Sequence, residues 1–151
     1  MRGDVKTFHK GRLKASNGSW AESDHLYLAL ITDAVDPTID MAAPNISSFT
    51  QVGTGGTYTS GGVDLGTLSD FVSEAAGVLK FDSAVNPSWA ADAGNSANDC
   101  FRGVIHHYPS GDGYAFVDFA GGGAGPYDMQ TEAVAVNWND LGIAQETDVT
   151  P

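Results

Sequence analysis

A strand–turn–strand pattern in the second half of the chain constrains the fold most strongly. The apolar runs 101–108 (FRGVIHHY) and 114–119 (YAFVDF) flank the short segment Pro-Ser-Gly-Asp-Gly. Two such runs joined by a glycine-rich turn are typical of a β-hairpin. The pattern therefore predicts a core built from antiparallel sheet.

Other short apolar runs predict further strands. Residues 25–32 (HLYLALIT) form the most apolar run of the chain, and their length favours a buried central strand. Shorter strands are predicted at 63–65 and 78–81, over the alternating residues 132–138 and in the run LGIAQ, with a broken pair at 47–59. Helical character is predicted at 4–15 and 70–76, and the loop 82–89 is expected to deliver Trp89 to the core.

These elements indicate one mainly β domain over residues 1–151. The 19 glycines favour many turns over long helices. We expect a single antiparallel β-sandwich or small barrel with a short N-terminal helix and long Gly-rich loops, including 121–126 (GGGAGP). Residues 1–19 form a basic N-terminal segment, and 146–151 are expected to be a frayed tail.

The charge balance excludes two classes of partner. The chain carries 19 acidic residues against seven Lys and Arg, for a net charge of −12. Such a body is repelled by nucleic acid and by anionic membranes, so neither is expected as a partner. Four of the bases lie within the first twelve residues, and from Ala15 onward only Lys80 and Arg102 are positive. The N-terminal segment is therefore the part that suits an acidic partner.

The single cysteine, Cys100, excludes an intramolecular disulfide framework. It adjoins an apolar run and is interpreted as a buried, inert thiol. No apolar run approaches the ~20 residues that cross a bilayer, and no signal-peptide pattern is recognised at the N-terminus. We expect a soluble protein made in a reducing cytoplasm.

The sequence offers few candidates for chemistry. His106 and His107 are adjacent on a predicted strand, so they point to opposite faces and are poorly placed to share one metal ion. One is expected to be buried and the other exposed. No G-x-S-x-G motif or calcium-binding loop is found. We therefore expect no catalytic residue, metal site or cofactor; a small hydrolase using one of these histidines is a minor alternative.

The order of the segments resembles a group of small tailed-bacteriophage virion proteins. The resemblance covers nearly the whole chain and rests on segments that occur in this order: FHKGRLKASNGSW, LYLALITDAVDPT, GGTYTSGGVDL, VLKFDSAVNPSWAAD, the hairpin, and AVAVNWNDLGI. Two places depart from the family pattern: VIHH replaces a tyrosine and an acid, and DFAG replaces D-F-G-G. The resemblance implies a structural role in the virion.

From this resemblance we expect a non-enzymatic capsid decoration (cement) protein. It would bind the major capsid protein on the outside of the phage head, bridge neighbouring subunits and self-associate, as a trimer at a local three-fold axis. A tail, neck or fibre component and a carbohydrate-binding β-sandwich are the alternatives. The expected capsid contacts are Arg2, Lys6, Phe8, Lys10, Arg12 and Trp20.

Overall fold

The computed structural model describes residues 4–34, 37–75, 78–95, 100–119, 126–138 and 144–147. The strands are β1 (Asp4–Thr7), β2 (His25–Ile31), β3 (Val63–Thr67), β4 (Val72–Ala75), β5 (Val78–Phe81), β6 (Ser88–Trp89), β7 (Arg102–His107), β8 (Gly113–Asp118), β9 (Val134–Ala135) and β10 (Ala144–Thr147). The helices are α1 (His9–Ser16), α2 (Leu68–Phe71) and a 3-10 turn at Ile46–Ser48. Strands make up 34% of the structure and helices 13%, so the predicted mainly β fold is confirmed.

A five-stranded antiparallel sheet forms the centre of the molecule, in the order β1-β8-β7-β2-β3. The predicted hairpin is β7 and β8, and the predicted central strand is β2, which pairs with β7 on one side and β3 on the other. Both predictions are confirmed. Within the described residues the strands form open sheets rather than a closed barrel, since β1 and β3 are the edges of the large sheet.

Both faces of the large sheet are covered. Every residue of β7 and β8 is buried, which explains why apolar residues follow one another in the middle of each strand instead of alternating with polar ones. One face carries Leu28 and its partner Ile105 into the main core, where Tyr58, Phe71, Phe81 and Trp89 also lie. The other face forms a smaller cluster of Phe8, Ile31, Val104 and Phe116, against which Met41, Ile46 and Phe49 pack.

Two small sheets complete the architecture. One has the order β10-β5-β4, and the other pairs β6 with β9. Trp89, on β6, is only 4% exposed, which confirms the prediction that the loop before it delivers Trp89 to the core. Neither α1 nor α2 has the length and apolar character of a membrane-crossing helix, and the same holds throughout the described part of the chain.

The N-terminal segment differs from the prediction of one helix over 4–15. Asp4–Thr7 form strand β1, which pairs with β8, and the helix begins only at His9. The reason is tertiary: β8 offers an unpaired edge whose backbone groups β1 satisfies. Gly11 then allows α1 to approach β8 closely, because a Cβ there would meet the carbonyl oxygen of Gly113 and lie 2.7 Å from the Cα of Tyr114.

Other local predictions also need correction. The segment 47–59 forms a single bridge, Ile31 to Gln51, rather than a strand pair. The predicted helix at 70–76 ends at Phe71 and continues as strand β4. Glu146 and Thr147 belong to β10, so regular structure extends into the predicted frayed tail. The glycine-rich connection 121–126 lies outside the described residues except at Pro126, as does the tail beyond residue 147.

Candidate functional site

The outer side of α1 combines positive charge with an exposed apolar side chain. Gly11 faces the sheet and is buried, whereas Leu13, roughly opposite it on the helix, is 54% exposed. Lys10 and Lys14 share one flank of Leu13, and Arg12 lies on the other flank. We call Lys6, Lys10, Arg12, Leu13 and Lys14 the basic surface.

The basic surface is unusual for this chain. Residues 1–14 hold five of the seven Lys and Arg residues and only one of the 19 acids. The rest of the chain therefore has two bases against 18 acids. Positive charge is thus concentrated in the first fourteen residues, and such an asymmetry produces a local field that attracts an acidic partner.

Three of the predicted contact residues lie on the basic surface. Lys10 is exposed, Arg12 is half-buried, and the Lys6 ammonium is 5.7 Å from the centroid of the Phe116 ring. A small cavity of about 80 Å³ lies beside Lys10 and Lys14, between α1 and Pro44. Arg2 lies outside the described residues.

The other two predicted contacts are core residues. Phe8 is 0% exposed and packs its ring 5.6 Å from that of Phe116. Trp20 is 4% exposed, and its ring lies parallel to the imidazole of His107 at 4.7 Å. The prediction that Phe8 and Trp20 contact the capsid is wrong, because both rings are buried in the core.

A chain of hydrogen bonds runs from Asp24, the residue before β2, to α1 through the hairpin turn. Nε2 of His107 lies 2.9 Å from Oδ2 of Asp24, and its Nδ1 lies 2.8 Å from Oγ of Ser110. The Ser110 hydroxyl donates to Oδ2 of Asp112 at 2.8 Å, and Nζ of Lys14 donates to the same oxygen at 2.7 Å. These five residues form what we call the polar network.

The polar network lowers the pKa of both of its carboxylates, Asp24 and Asp112. The hydrogen bond from His107 is the main reason that the pKa of Asp24 lies below its ordinary value. Burial works to raise the pKa of Asp112, but the hydrogen bonds from Lys14, Ser110 and Asn45 together outweigh it, so this pKa is also lowered. Both carboxylates are therefore held in the charged form.

Asp24, His107 and Ser110 have the residue types of a hydrolytic triad, but the hydrogen bonds favour a structural role. A serine nucleophile gives its proton to the histidine, whereas Oδ2 of Asp112 lies as close to the Ser110 hydroxyl as Nδ1 of His107 does and competes for its single proton. A carboxylate 2.8 Å from Oγ would also repel the negative charge that develops on the carbonyl oxygen of a substrate attacked by Oγ. What the network does is hold the hairpin turn against α1 and against the residues that precede β2.

His106 and His107 point to opposite faces, as predicted, but both are buried. His106 is 2% exposed, and its Nε2 lies 3.0 Å from the carbonyl oxygen of Gly61. Burial lowers its pKa. The expectation that one histidine is exposed is wrong, because Trp20 covers His107. Within the described ranges no three His, Cys, Asp or Glu residues are grouped as a metal site.

A second surface cluster combines residues of β2 and β3 with Tyr108, which follows β7. The rings of Tyr27 and Tyr108 stack with centroids 4.2 Å apart, and Tyr108 is 58% exposed. Nδ1 of His25 lies 2.8 Å from Oδ2 of Asp64, and both side chains are partly exposed. We call Tyr27 and Tyr108 the tyrosine platform.

Sequence reasoning missed both the polar network and the tyrosine platform. Their members are distant along the chain: Asp24 is 83 residues from His107, and Tyr27 is 81 residues from Tyr108. The predicted hairpin does indicate that residues next to its turn, such as His107 and Ser110, lie close together. Their partners on or next to β2 and β3 could be identified only from the order of the strands in the sheet, which the sequence does not give.

No protein-family model matches the chain, and the comparisons with curated proteins and with solved structures found no match either. A function is therefore argued from the residues themselves.

Proposed function

We propose that this protein is a non-enzymatic virion structural protein that decorates and cements the outer surface of a tailed-phage capsid. It docks through the basic surface and bridges neighbouring copies of the major capsid protein. The observation that carries the docking mode is the concentration of positive charge around an exposed leucine on α1 of an otherwise acidic chain. The phage assignment rests on the resemblance in segment order.

The composition of the basic surface suits a protein interface. An apolar side chain at the centre loses water on contact, while charged side chains at the rim steer the encounter and exclude wrong partners. Leu13 takes the central role and Lys10 and Arg12 the rim. Because rim charges act through the solvent, binding should weaken as the salt concentration rises.

Attachment to a symmetric shell requires only modest affinity at each site. Several linked sites engage together, so avidity exceeds the single-site affinity by about 10²–10⁴ without new contacts. A trimer at a local three-fold axis would engage three subunits at once. The acidic remainder of the chain faces solvent and keeps neighbouring copies soluble.

The absence of enzymatic activity is part of the proposal. We expect a fluorophosphonate probe, which labels activated serines, to leave Ser110 unlabelled in the native protein, because the Asp112 carboxylate competes with His107 for the Ser110 proton. Labelling of Ser110 that disappears in His107→Gln would instead assign a hydrolase.

Immunogold electron microscopy of purified virions tests the location. Gold spread over the head is the expected result. Gold confined to the tail, neck or fibres would replace the capsid assignment by the tail alternative. Accessible particles without gold would refute a virion role altogether.

Cosedimentation with particles that lack the protein tests the docking surface. Lys10→Gln should weaken binding severalfold and reduce its salt dependence, and Leu13→Ala should weaken binding further. Lys80→Gln removes the same charge outside the basic surface and is the matched control. Point variants are needed because truncation of the N-terminal segment would remove β1 and the buried Phe8. Equal binding by Lys10→Gln, Leu13→Ala and the control would refute the docking mode.

A further inference from the structure

The tyrosine platform is an exposed aromatic surface whose geometry is fixed in advance. The planes of the Tyr27 and Tyr108 rings are inclined by only 21°, so one ring backs the other. Tyr108 directly follows β7, and its backbone N–H donates to the carbonyl oxygen of His25 at 2.9 Å. One flat face of Tyr108 is therefore left for a ligand, on a ring whose freedom is already reduced.

Polar groups border the platform on the same face of the sheet. Tyr27 pairs with Asp64 across β2 and β3, and directly opposed residues of an antiparallel pair share a face. The charge of Asp64 is close enough to contribute to the raised pKa of Tyr27, after the larger effect of burial. His25 lies between the two, since its backbone meets Tyr108 and its imidazole meets Asp64.

We propose that the tyrosine platform and Asp64 form a binding site for a neutral hexopyranose unit of a glycan. The C–H face of the sugar ring packs on Tyr108, and ring hydroxyls donate hydrogen bonds to the Asp64 carboxylate. A tyrosine ring suits this role because it offers a large amphipathic surface at small entropic cost. Stacking on Tyr27 lowers that cost further.

The polar contacts favour a neutral ligand over a cationic one. Oδ1 of Asp64 already accepts from the backbone N–H of Gly66 at 2.8 Å, and Oδ2 faces Nδ1 of His25 at 2.8 Å. A guanidinium or ammonium group would compete with His25 for the carboxylate. A hydroxyl group uses one remaining lone pair and leaves both bonds in place.

The three tryptophans do not compete for this role. Trp20 and Trp89 are buried, and Trp138 is partly buried, with its indole N–H donating to the carbonyl oxygen of Val85 at 2.7 Å. Among the described aromatic residues, Tyr108 is the one that the structure leaves mostly exposed. The site is separate from the basic surface, so the proposal stands whether or not the capsid assignment does.

Saturation-transfer difference NMR with the methyl glycosides of glucose, galactose, mannose and N-acetylglucosamine tests the site. We expect transfer to the ring protons of at least one glycoside. Tyr108→Ala should abolish it, and Tyr108→Phe, which keeps the ring, should retain it. Val85→Ala, another exposed apolar side chain, is the control and should leave the signal unchanged.

A second variant makes the test independent of the ring. Asp64→Asn should weaken glycoside binding about tenfold, because a hydrogen bond to a charged acceptor is lost. N-acetylarginine amide serves as the cationic probe, and its binding in place of the glycosides would overturn the proposal. So would the absence of transfer to all four glycosides, or an unchanged signal in Tyr108→Ala.

Discussion

Replacement of Gly11 by alanine tests how closely α1 packs on the sheet, which is what orients the basic surface. An alanine Cβ would meet the carbonyl oxygen of Gly113 and lie 2.7 Å from the Cα of Tyr114. Both are backbone atoms of the hairpin, so neither can rotate away as a flexible side chain could. The helix must therefore move outward to admit the methyl group.

Two effects of opposite sign decide the magnitude. Alanine in place of glycine in a helix interior stabilises by about 1 kcal/mol. Overpacking of a filled interior costs about 1–3 kcal/mol, and the upper end applies because the obstruction is backbone. We expect Gly11→Ala to lower the free energy of unfolding by about 2 kcal/mol. For a chain of this length this corresponds to a melting temperature about 4–8 °C lower.

Urea denaturation followed by circular dichroism measures the change. Ser16→Ala, at an exposed position of the same helix, is the matched control and should stay within about 0.5 kcal/mol of the original protein. A Gly11→Ala protein more stable than the original, by the amount that helix propensity alone provides, would refute the close packing of α1 on β8.

Three further predictions concern burial and charge. Phe8→Ala should lower the free energy of unfolding by about 3–5 kcal/mol in denaturant titrations, because its ring is fully buried. A change below about 1 kcal/mol would contradict the burial of Phe8. Cys100, whose pKa burial raises to about 12, should react with Ellman's reagent only after unfolding, and rapid reaction of the native protein would contradict its burial. Asp112 has a lowered pKa in the folded protein, so its contribution to stability is present above its ordinary pKa of 3.8 and is lost as the pH falls through the lower folded value. Asp112→Asn should therefore be less stable than the original protein at pH 7, and the difference should shrink below pH 3.8; a difference independent of pH would exclude a role for the charge.

The predictions that succeeded depend on local patterns. The hairpin is predicted because strand-forming residues flank a turn rich in glycine. The buried strand β2 is predicted because its apolar residues follow one another, whereas those of a half-buried strand alternate with polar residues. Both signals lie within short stretches of sequence. The buried Cys100 and Trp89 were predicted from their immediate neighbours in the same way.

The predictions that failed depend on contacts between distant residues. Residues 4–15 are predicted as one helix, yet Val5 lies on a strand and Leu13, on the helix, is exposed. Pairing of β1 with the edge of β8 overrode local helix propensity, which is a weak preference of at most about 0.7 kcal/mol per ordinary residue. The same pairing delivers Phe8 to the core and leaves the lysines outside.

The sequence by itself determined the mainly β class, the central hairpin and the separation of a basic N-terminal segment from an acidic remainder. These follow from composition and from the spacing of neighbouring residues, which are known without any tertiary contact. Only the tertiary structure decided which aromatic rings are exposed. Trp20 is covered by stacking on His107, whereas Tyr108 stacks on Tyr27 and remains open to solvent. Exposure is set by what packs against a side chain, and those partners come from strands and loops far away in sequence.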